Sequence, residues 1–308
     1  MYKILVTDPL RQNALQIFEE APDVHYETHY GLSEDELIEK IKPFNAVLVR
    51  SATQISAKII AAAENLKVIG RAGSGLDNID VKAAEKKGIK VLNTPGTNAP
   101  AVAEMTIACL FAVARNIARA DHTMKQGLWE KKAFSGIELN ERTLGIVGCG
   151  TIGKSVARKA HALGMQIVVY NRSRVEMDDV PFEQIGLDDL LRRADFVSLH
   201  LALSEETRGL LGDRELALMK KNSYLINTSR GEIVDEQALL SHLEKGHLAG
   251  AALDVFCNEP DYNKQLAANA KVVATPHIGA VTKESQERVG VRIADLTLEF
   301  LRSKYIFL

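Results

Sequence analysis

The chain has 308 residues, 46% hydrophobic and 25% charged, with a formal net charge of -2. That length exceeds one ordinary core and suits two, and the composition is that of a globular protein rather than a disordered or fibrous one. Lys and Arg are scattered, so no basic block points to nucleic acid and no acidic run to a binding arm.

The first predicted strand covers residues 3–7. Its run Ile4-Leu5-Val6, with Asp8 close behind, is too short for the apolar region of a signal peptide. Strands follow over 46–50, 67–70 and 90–93, with helical patterns between them, for example over 34–41 and 57–63. β-Branched runs alternating with helices predict a parallel sheet covered on both faces. The pattern breaks at Asn93-Thr94-Pro95-Gly96. A long helix is then expected from about Pro100 to Met124, with proline in the first turn where its missing N–H costs little. Its stretch from Met105 to Ala114 lies between Glu104 and Arg115 and is too short to span a bilayer, so it reads as a buried helix and no membrane contact is expected. The unusually wide apolar face suggests a place between domains or subunits.

A second series supplies strands over 143–147, 166–170, 196–199, 224–227, 250–253 and 272–274. Six strands with intervening helices describe a Rossmann domain. One last helix, over about 283–302, is expected to pack back on the first domain, which is short of helices. The predicted fold is therefore α/β: a Rossmann NAD(P)-binding domain over 97–282, and a smaller flavodoxin-like βα substrate domain, discontinuous over 1–96 and 283–308. Three cysteines, Cys109, Cys149 and Cys257, have no metal-ligand spacing. Such an odd, sparse count fits a reducing, cytoplasmic compartment, and no metal is expected.

The strongest local signal is Gly148-Cys149-Gly150-Thr151-Ile152-Gly153, a G-x-G-x-x-G after a strand and before a helix. Gly148 permits the tight turn, Gly150 lets backbone approach a pyrophosphate, and Gly153 lets helix and strand pack closely. The helix N-terminus adds amide donors. A glycine-rich turn without a ligand is the bland alternative, but the strand–turn–helix setting and a second strand some 20 residues on favour the dinucleotide. That second strand ends Tyr170-Asn171-Arg172-Ser173-Arg174, without the acid that normally binds the ribose diol of NAD. Removing the carboxylate removes its repulsion of a 2′-phosphate, and Arg172 and Arg174 can pair with one, which leans the reading toward NADP(H). Alternatively both arginines are solvated and Asn171 binds the diol of NAD.

Three segments after strands of the second series carry isolated functional groups: Asn227-Thr228-Ser229-Arg230-Gly231, Leu253-Asp254-Val255-Phe256-Cys257-Asn258-Glu259-Pro260, and Ala274-Thr275-Pro276-His277-Ile278-Gly279-Ala280. Hydride transfer to a keto acid needs a fixed cation for the carboxylate and ketone oxygen, and an acid to protonate the developing alkoxide. Arg230 suits the first task, because its planar fork grips carboxylate bidentately. His277 suits the second. Glu259 can hydrogen-bond the imidazole, set its tautomer and raise its pKa. Singly, each has a structural reading, as a sheet-edge cap, a core histidine or a turn residue. Together, beside a dinucleotide motif, they favour catalysis. In the first domain Arg50 and Arg71 follow strands and suggest an anionic group on the substrate beyond its carboxylate. His122, His161 and His200 have no partner motif and read as structural, and Cys257 as passive packing.

At this point the chain resembles the D-isomer-specific 2-hydroxyacid dehydrogenases over nearly its full length. The segments responsible are Leu48-Val49-Arg50-Ser51-Ala52-Thr53, Gly70-Arg71-Ala72-Gly73-Ser74-Gly75-Leu76-Asp77-Asn78-Ile79-Asp80, Asn93-Thr94-Pro95 and Gly250-Ala251-Ala252-Leu253-Asp254-Val255-Phe256. Within the family the likeness is greatest to the branch acting on 3-phosphoglycerate. The resemblance implies catalysis by Arg230, Glu259 and His277. It implies cofactor contacts from Ser74, Thr151, Ile152, Asn171, Arg172, Ser173, Thr228, Ser229, Arg230, Asp254, His277, Gly279 and Ala280. Substrate contacts are expected from Arg50, Ser51, Arg71, Ser74, Gly75, Arg230 and His277. A homodimer built on the long helix is also implied. Two departures stand out: Asn171 replaces the usual Asp, and His200-Leu201-Ala202 replaces a frequent His-Thr-Pro, which loses a hydroxyl and a rigid residue on the adenine side. Ending at Leu308, the chain is expected to lack the C-terminal regulatory domain of longer members and serine feedback through it. Two rival readings remain: the same mechanism on glyoxylate, hydroxypyruvate or another keto acid, and a non-catalytic NAD(H)-sensing corepressor.

Overall fold

The structure is a computed structural model and describes residues 1–303. The chain divides into two compact units, Met1–Asn98 with Val281–Leu308, and Ala99–Ala280. Each boundary lies two residues from the expected one, and residues 304–308 fall outside the described residues.

Unit 1 is built from strands β1 (Tyr2–Val6), β2 (Val24–Thr28), β3 (Ala46–Val49), β4 (Val68–Arg71) and β5 (Lys90–Asn93). They alternate with helices α1 (Gln12–Glu19), α2 (Glu34–Ile41), α3 (Ala57–Ala62) and α4 (Val81–Lys86). The strands form one parallel sheet in the order β2-β1-β3-β4-β5, the flavodoxin-like arrangement. Successive side chains of a strand face opposite sides of the sheet. Leu5, Val47, Val49 and Ile69 accordingly pack with residues of α2 to α4, while Ile4, Val6, Ala46, Leu48 and Val68 pack on the other face. Both faces are covered, and these strands read as continuous apolar runs. The second face is closed by the last helix, α12 (Lys283–Ser303), through Val289, Ile293, Ala294 and Leu298. β2 was not among the predicted strands. It is an edge strand whose residues Val24-His25-Tyr26-Glu27-Thr28 are all partly or fully exposed, so no buried run marks it.

Unit 2 opens with α5 (Ala99–Ala114) and α6 (Ile117–Lys125). It continues through β6 (Thr143–Val147), α7 (Thr151–Ala162), β7 (Gln166–Tyr170), β8 (Phe182–Gln184), α8 (Leu187–Arg193) and β9 (Phe196–Leu199). Then follow α9 (Asp213–Leu218), β10 (Tyr224–Asn227), α10 (Glu236–Glu244), β11 (Gly250–Leu253), α11 (Lys264–Ala268) and β12 (Val272–Ala274). The sheet has seven parallel strands, one more than expected, in the order β12-β11-β10-β9-β6-β7-β8. The extra strand is β8, three residues at the sheet edge. Order reverses between β6 and β9, and in such sheets ligands bind outside the carboxyl ends of the strands at that point.

The single helix expected over 100–124 is two helices bent by 66°. The break lies at Asn116, whose φ of 54° is left-handed. Asn enters that region more readily than other side-chain-bearing residues, so no glycine or proline is needed to end α5 there. The apolar girth of α5 is absorbed inside its own unit, against α7 and β10 to β12. Among the described residues no single helix is long and apolar enough to cross a membrane.

Candidate active site

The glycine turn sits at the carboxyl end of β6. Gly148 has φ 90°, and a Cβ there would lie 2.7 Å from the His200 carbonyl oxygen and from Leu201 Cδ2. His200 and Leu201, the latter a departure from the family pattern, thus pack over the turn. At Gly153 a Cβ would come within 2.4 Å of the Gly148 carbonyl oxygen, so α7 can approach the turn only with glycine there. A Cβ at Gly150 would meet no neighbour within 4 Å. Gly150 is the N-cap of the twelve-residue α7, with Thr151 and Ile152 in its first turn. The open space at Gly150 beside free first-turn amides suits a pyrophosphate, so the residues present fit a dinucleotide.

The end of β7 is tied to this turn. Asn171 Oδ1 accepts the Cys149 amide at 3.2 Å, and Asn171 Nδ2 donates to both the carbonyl and the hydroxyl oxygen of Ser173, each at 3.0 Å. Gln184 on β8 braces the same segment by donating to the Asn171 and Ser173 carbonyls. Arg172, largely exposed, forms an ion pair with Glu206, which follows β9. Ser198 Oγ lies 2.9 Å from His200 Nε2, and burial pushes the His200 imidazole down to about 4, so it stays neutral in a structural place.

The three candidate catalytic segments follow β10, β11 and β12, three neighbours in the sheet. Asn227 ends β10 and folds the first segment by accepting from Ser229 N (3.0 Å) and Ser229 Oγ (2.8 Å) and donating to the Arg230 carbonyl (2.8 Å). Thr228 Oγ1 meets Thr106 Oγ1 of α5 at 2.9 Å. Arg230 Nη1 donates to the Ser229 carbonyl at 2.7 Å. In the second segment, Glu236 Oε1 accepts the Cys257 amide (2.6 Å) and Glu259 Oε1 the Phe256 amide (2.9 Å). Glu259 Oε2 then reaches His277 Nδ1 at 2.6 Å.

Asp254, almost fully buried, holds the third segment from behind. Its Oδ1 accepts from Thr275 Oγ1 (2.6 Å) and the Ile278 amide (2.8 Å), its Oδ2 accepts from the Gly279 amide (2.7 Å), and its carbonyl accepts the His277 amide (2.8 Å). These bonds fix His277 at a left-handed φ of 52°, and Gly279 and Ala280 leave the clamp on its far side. The Asp254 carboxylate, for which resemblance implied a cofactor contact, thus also holds this loop. Burial, the largest single effect on the Glu259 carboxyl, raises its pKa. The His277 hydrogen bond, the Phe256 amide and the charges of His277 and Arg230 together outweigh it and hold the carboxyl below its ordinary value. Glu259 therefore touches His277, and the charge of Arg230 adds to the lowering of its carboxyl. Glu259 holds Nδ1, Nε2 is the ring nitrogen it does not touch, and the imidazole side chain is about half exposed. Burial and the nearby Glu236 and Glu232 push the Cys257 thiol up to about 12, and it serves as packing.

The other expected substrate residues belong to unit 1, at the carboxyl ends of β3 and β4. Asp8 accepts from Arg50 N (2.5 Å), Thr53 N (3.2 Å) and Thr53 Oγ1 (2.8 Å), and Asn78 Nδ2 donates to the Arg50 and Thr53 carbonyls. The loop bearing Arg50 and Ser51 is thus held from both sides. The Arg71 guanidinium lies over Gly73, where a Cβ would fall 1.5 Å from Nη1. Ser74 Oγ donates to Asn98 Oδ1 at 2.9 Å, and Asn93 Nδ2 holds the Ser74 carbonyl next to Gly75. Sequence reasoning missed Asp8, Asn78, Asn227, Glu236 and Thr275. Asp8 and Asn227 carried a usable signal, a polar residue ending an apolar strand. The others act through distant partners.

Residues 107–279 match the model of the D-isomer specific 2-hydroxyacid dehydrogenase NAD binding domain. The hydroxypyruvate reductase of Thermotoga maritima is 45% identical over 297 residues, 96% of each chain. The D-3-phosphoglycerate dehydrogenase of Methanocaldococcus jannaschii is 44% identical over 99% of this chain, but the match spans only 58% of that protein. Among solved structures, the TT0316 protein of Thermus thermophilus superposes with a TM-score of 0.90 at 36% identity, covering 98% of this chain and 97% of that one.

Proposed function

The chain belongs to the D-isomer specific 2-hydroxyacid dehydrogenases, and we propose from that premise that it interconverts 3-phosphoglycerate and 3-phosphohydroxypyruvate, the phosphoglycerate dehydrogenase reaction that opens serine biosynthesis. The observation that carries the chemistry is the 2.6 Å contact between Glu259 and His277 beside Arg230. A bound nicotinamide dinucleotide supplies or takes the hydride. The chain's own residues do the rest. Arg230 pairs with the substrate carboxylate and fixes the carbonyl carbon. His277 Nε2 takes the hydroxyl proton in oxidation and returns it to the alkoxide in reduction. Glu259 keeps Nδ1 protonated and stabilises the imidazolium that forms. The Gly148–Gly153 turn and the first turn of α7 would hold the pyrophosphate, with Asn171, Arg172 and Ser173 toward the ribose. Arg71 and the Arg50-Ser51 and Ser74-Gly75 loops supply the cation and donors that a phosphorylated acid requires.

Full-length similarity to a hydroxypyruvate reductase favours a second reading, with hydroxypyruvate or glyoxylate as the acid. Steady-state kinetics across phosphorylated and plain acids, with NAD(H) and NADP(H), decide between them. A kcat/KM for phosphohydroxypyruvate no higher than for hydroxypyruvate refutes the phosphorylated substrate. Arg172 and Arg174 keep NADP(H) among the cofactors to test. The assembly we take to be a homodimer, because Ile117, Met124, Leu128 and Trp129 leave large apolar surface exposed on and after α6. Light scattering that finds a monomer at assay concentration refutes this. Three unpaired cysteines support a reducing, cytoplasmic setting.

A further inference from the structure

We propose that Glu206 is the residue that discriminates against a 2′-phosphate on the bound dinucleotide, doing from the loop after β9 what an acid at position 171 does elsewhere. The inference rests on the dinucleotide reading of the Gly148–Gly153 turn.

Three observations carry it. First, Asn171 has no amide hydrogen left for a ribose: both are donated to Ser173, while its oxygen holds the Cys149 amide. It works as a lock between β7 and the glycine turn, so ribose recognition falls to neighbouring groups. Second, β7 and β9 flank β6 on either side. An ion pair joining Arg172, just after β7, to Glu206, in the loop after β9, must therefore arch across the end of β6, where the glycine turn lies. That is the crevice in which the adenosine half of a dinucleotide rests. Third, both loops are braced independently of the pair. Gln184 fixes the backbone around Arg172, and Ser204 and Thr207 fold the Glu206 turn through Ser204 N to Thr207 Oγ1 (2.8 Å) and Thr207 Oγ1 to the Ala202 carbonyl (2.7 Å). The carboxylate stays at the crevice when the pair opens.

The side chains of Arg172 and Glu206 are 81% and 71% exposed, and so open a pair costs little to break. A 2′-phosphate can take Arg172, but it then sits beside Glu206, a like charge it cannot escape. A ribose diol instead finds in Glu206 an acceptor for its hydroxyls. Arginines after the second strand thus do not by themselves make an NADP site, because the repulsive element missing at 171 is restored from another loop.

The test uses the full-length protein and isothermal titration calorimetry with ADP and adenosine 2′,5′-bisphosphate, the two adenosine ends without the nicotinamide. Glu206→Gln is expected to tighten 2′,5′-bisphosphate binding by about tenfold, the scale of one like-charge contact at a partly exposed site, and to leave ADP within about threefold. Adding Arg172→Ala should erase that gain. An unchanged ratio of the two Kd values in Glu206→Gln overturns the proposal while the dinucleotide reading stands. Wild-type protein that binds neither nucleotide overturns both.

Discussion

Asp254→Asn is the most informative substitution, because one carboxylate holds the whole His277 loop. An amide at that position keeps one accepting oxygen, enough for Thr275 Oγ1 and the Ile278 amide. Its NH2 then faces the Gly279 amide, two donors with no acceptor between them. One charge-assisted bond is lost and at least one buried donor is orphaned, which together cost about 3–5 kcal/mol. Relaxation of the loop releases His277 from φ 52° and moves its imidazole from Glu259. A shift of about 1 Å in a catalytic group lowers kcat by roughly a hundredfold. Urea unfolding followed by circular dichroism measures the first effect, with Thr275→Val, which removes a single bond, as a milder reference near about 1–2 kcal/mol. Turnover at saturating substrate measures the second. Stability within about 0.5 kcal/mol of wild type, the range of an ordinary surface change, refutes the clamp.

Other consequences are open to direct measurement. His277→Ala should lower kcat about 10²–10⁴-fold with little change in nucleotide Kd, and near-normal turnover refutes its role as acid and base. Because the Glu259 carboxyl is held below its ordinary value of 4.5, its contribution to stability is complete above that value and is lost as pH falls through the lowered one. The stability gap between wild type and Glu259→Gln should therefore be widest near neutrality and close below pH 4.5, and a gap that widens on acidification contradicts this. Arg71→Ala should raise KM for a phosphorylated acid and leave KM for its plain counterpart unchanged; equal changes argue against a phosphate partner. With its thiol at about 12, Cys257 should react with iodoacetamide at about pH 8 far more slowly than a free thiol of ordinary pKa, so rapid labelling contradicts the packing role.

What could be read from the chain alone followed from where the constraint is written. The glycine turn was legible because its demands are steric and local: Gly148 and Gly153 cannot be replaced without collision, whatever surrounds them. Interior strands were legible because burial on both faces forces runs such as Ala46-Val47-Leu48-Val49. β2 and β8 were not, because an edge strand has little apolar surface to bury and is specified by its neighbour. The break at Asn116 was hidden for a related reason, since a left-handed Asn resembles any other polar residue in a helical pattern. Arg230, Glu259 and His277 were picked out by side-chain chemistry at strand ends, and the structure joins Glu259 to His277 by a hydrogen bond. The clamp behind them was not legible, because Asp254, singled out by resemblance for another role, acts on residues 21 to 25 positions away; nor was the Arg172–Glu206 pair, whose partners are 34 positions apart. Composition carries no trace of such pairings.

The discontinuity of unit 1 also sets an order on biosynthesis. A ribosome reading this message delivers all five strands of the first sheet, then the whole of unit 2, and only afterwards the helix that covers Ile4, Val6, Leu48 and Val68. Until α12 emerges, the part of that face not packed by α1 stays wet and sticky. Unit 2, continuous from Ala99 to Ala280, has every partner it needs well before then. The middle stretch of the message is thus the first to become a finished domain, ahead of the unit that begins at its N-terminus. For roughly the time needed to translate about 180 residues, on the order of 10–40 s at about 5–20 residues per second, the nascent chain carries a half-dressed sheet that chaperones can grasp.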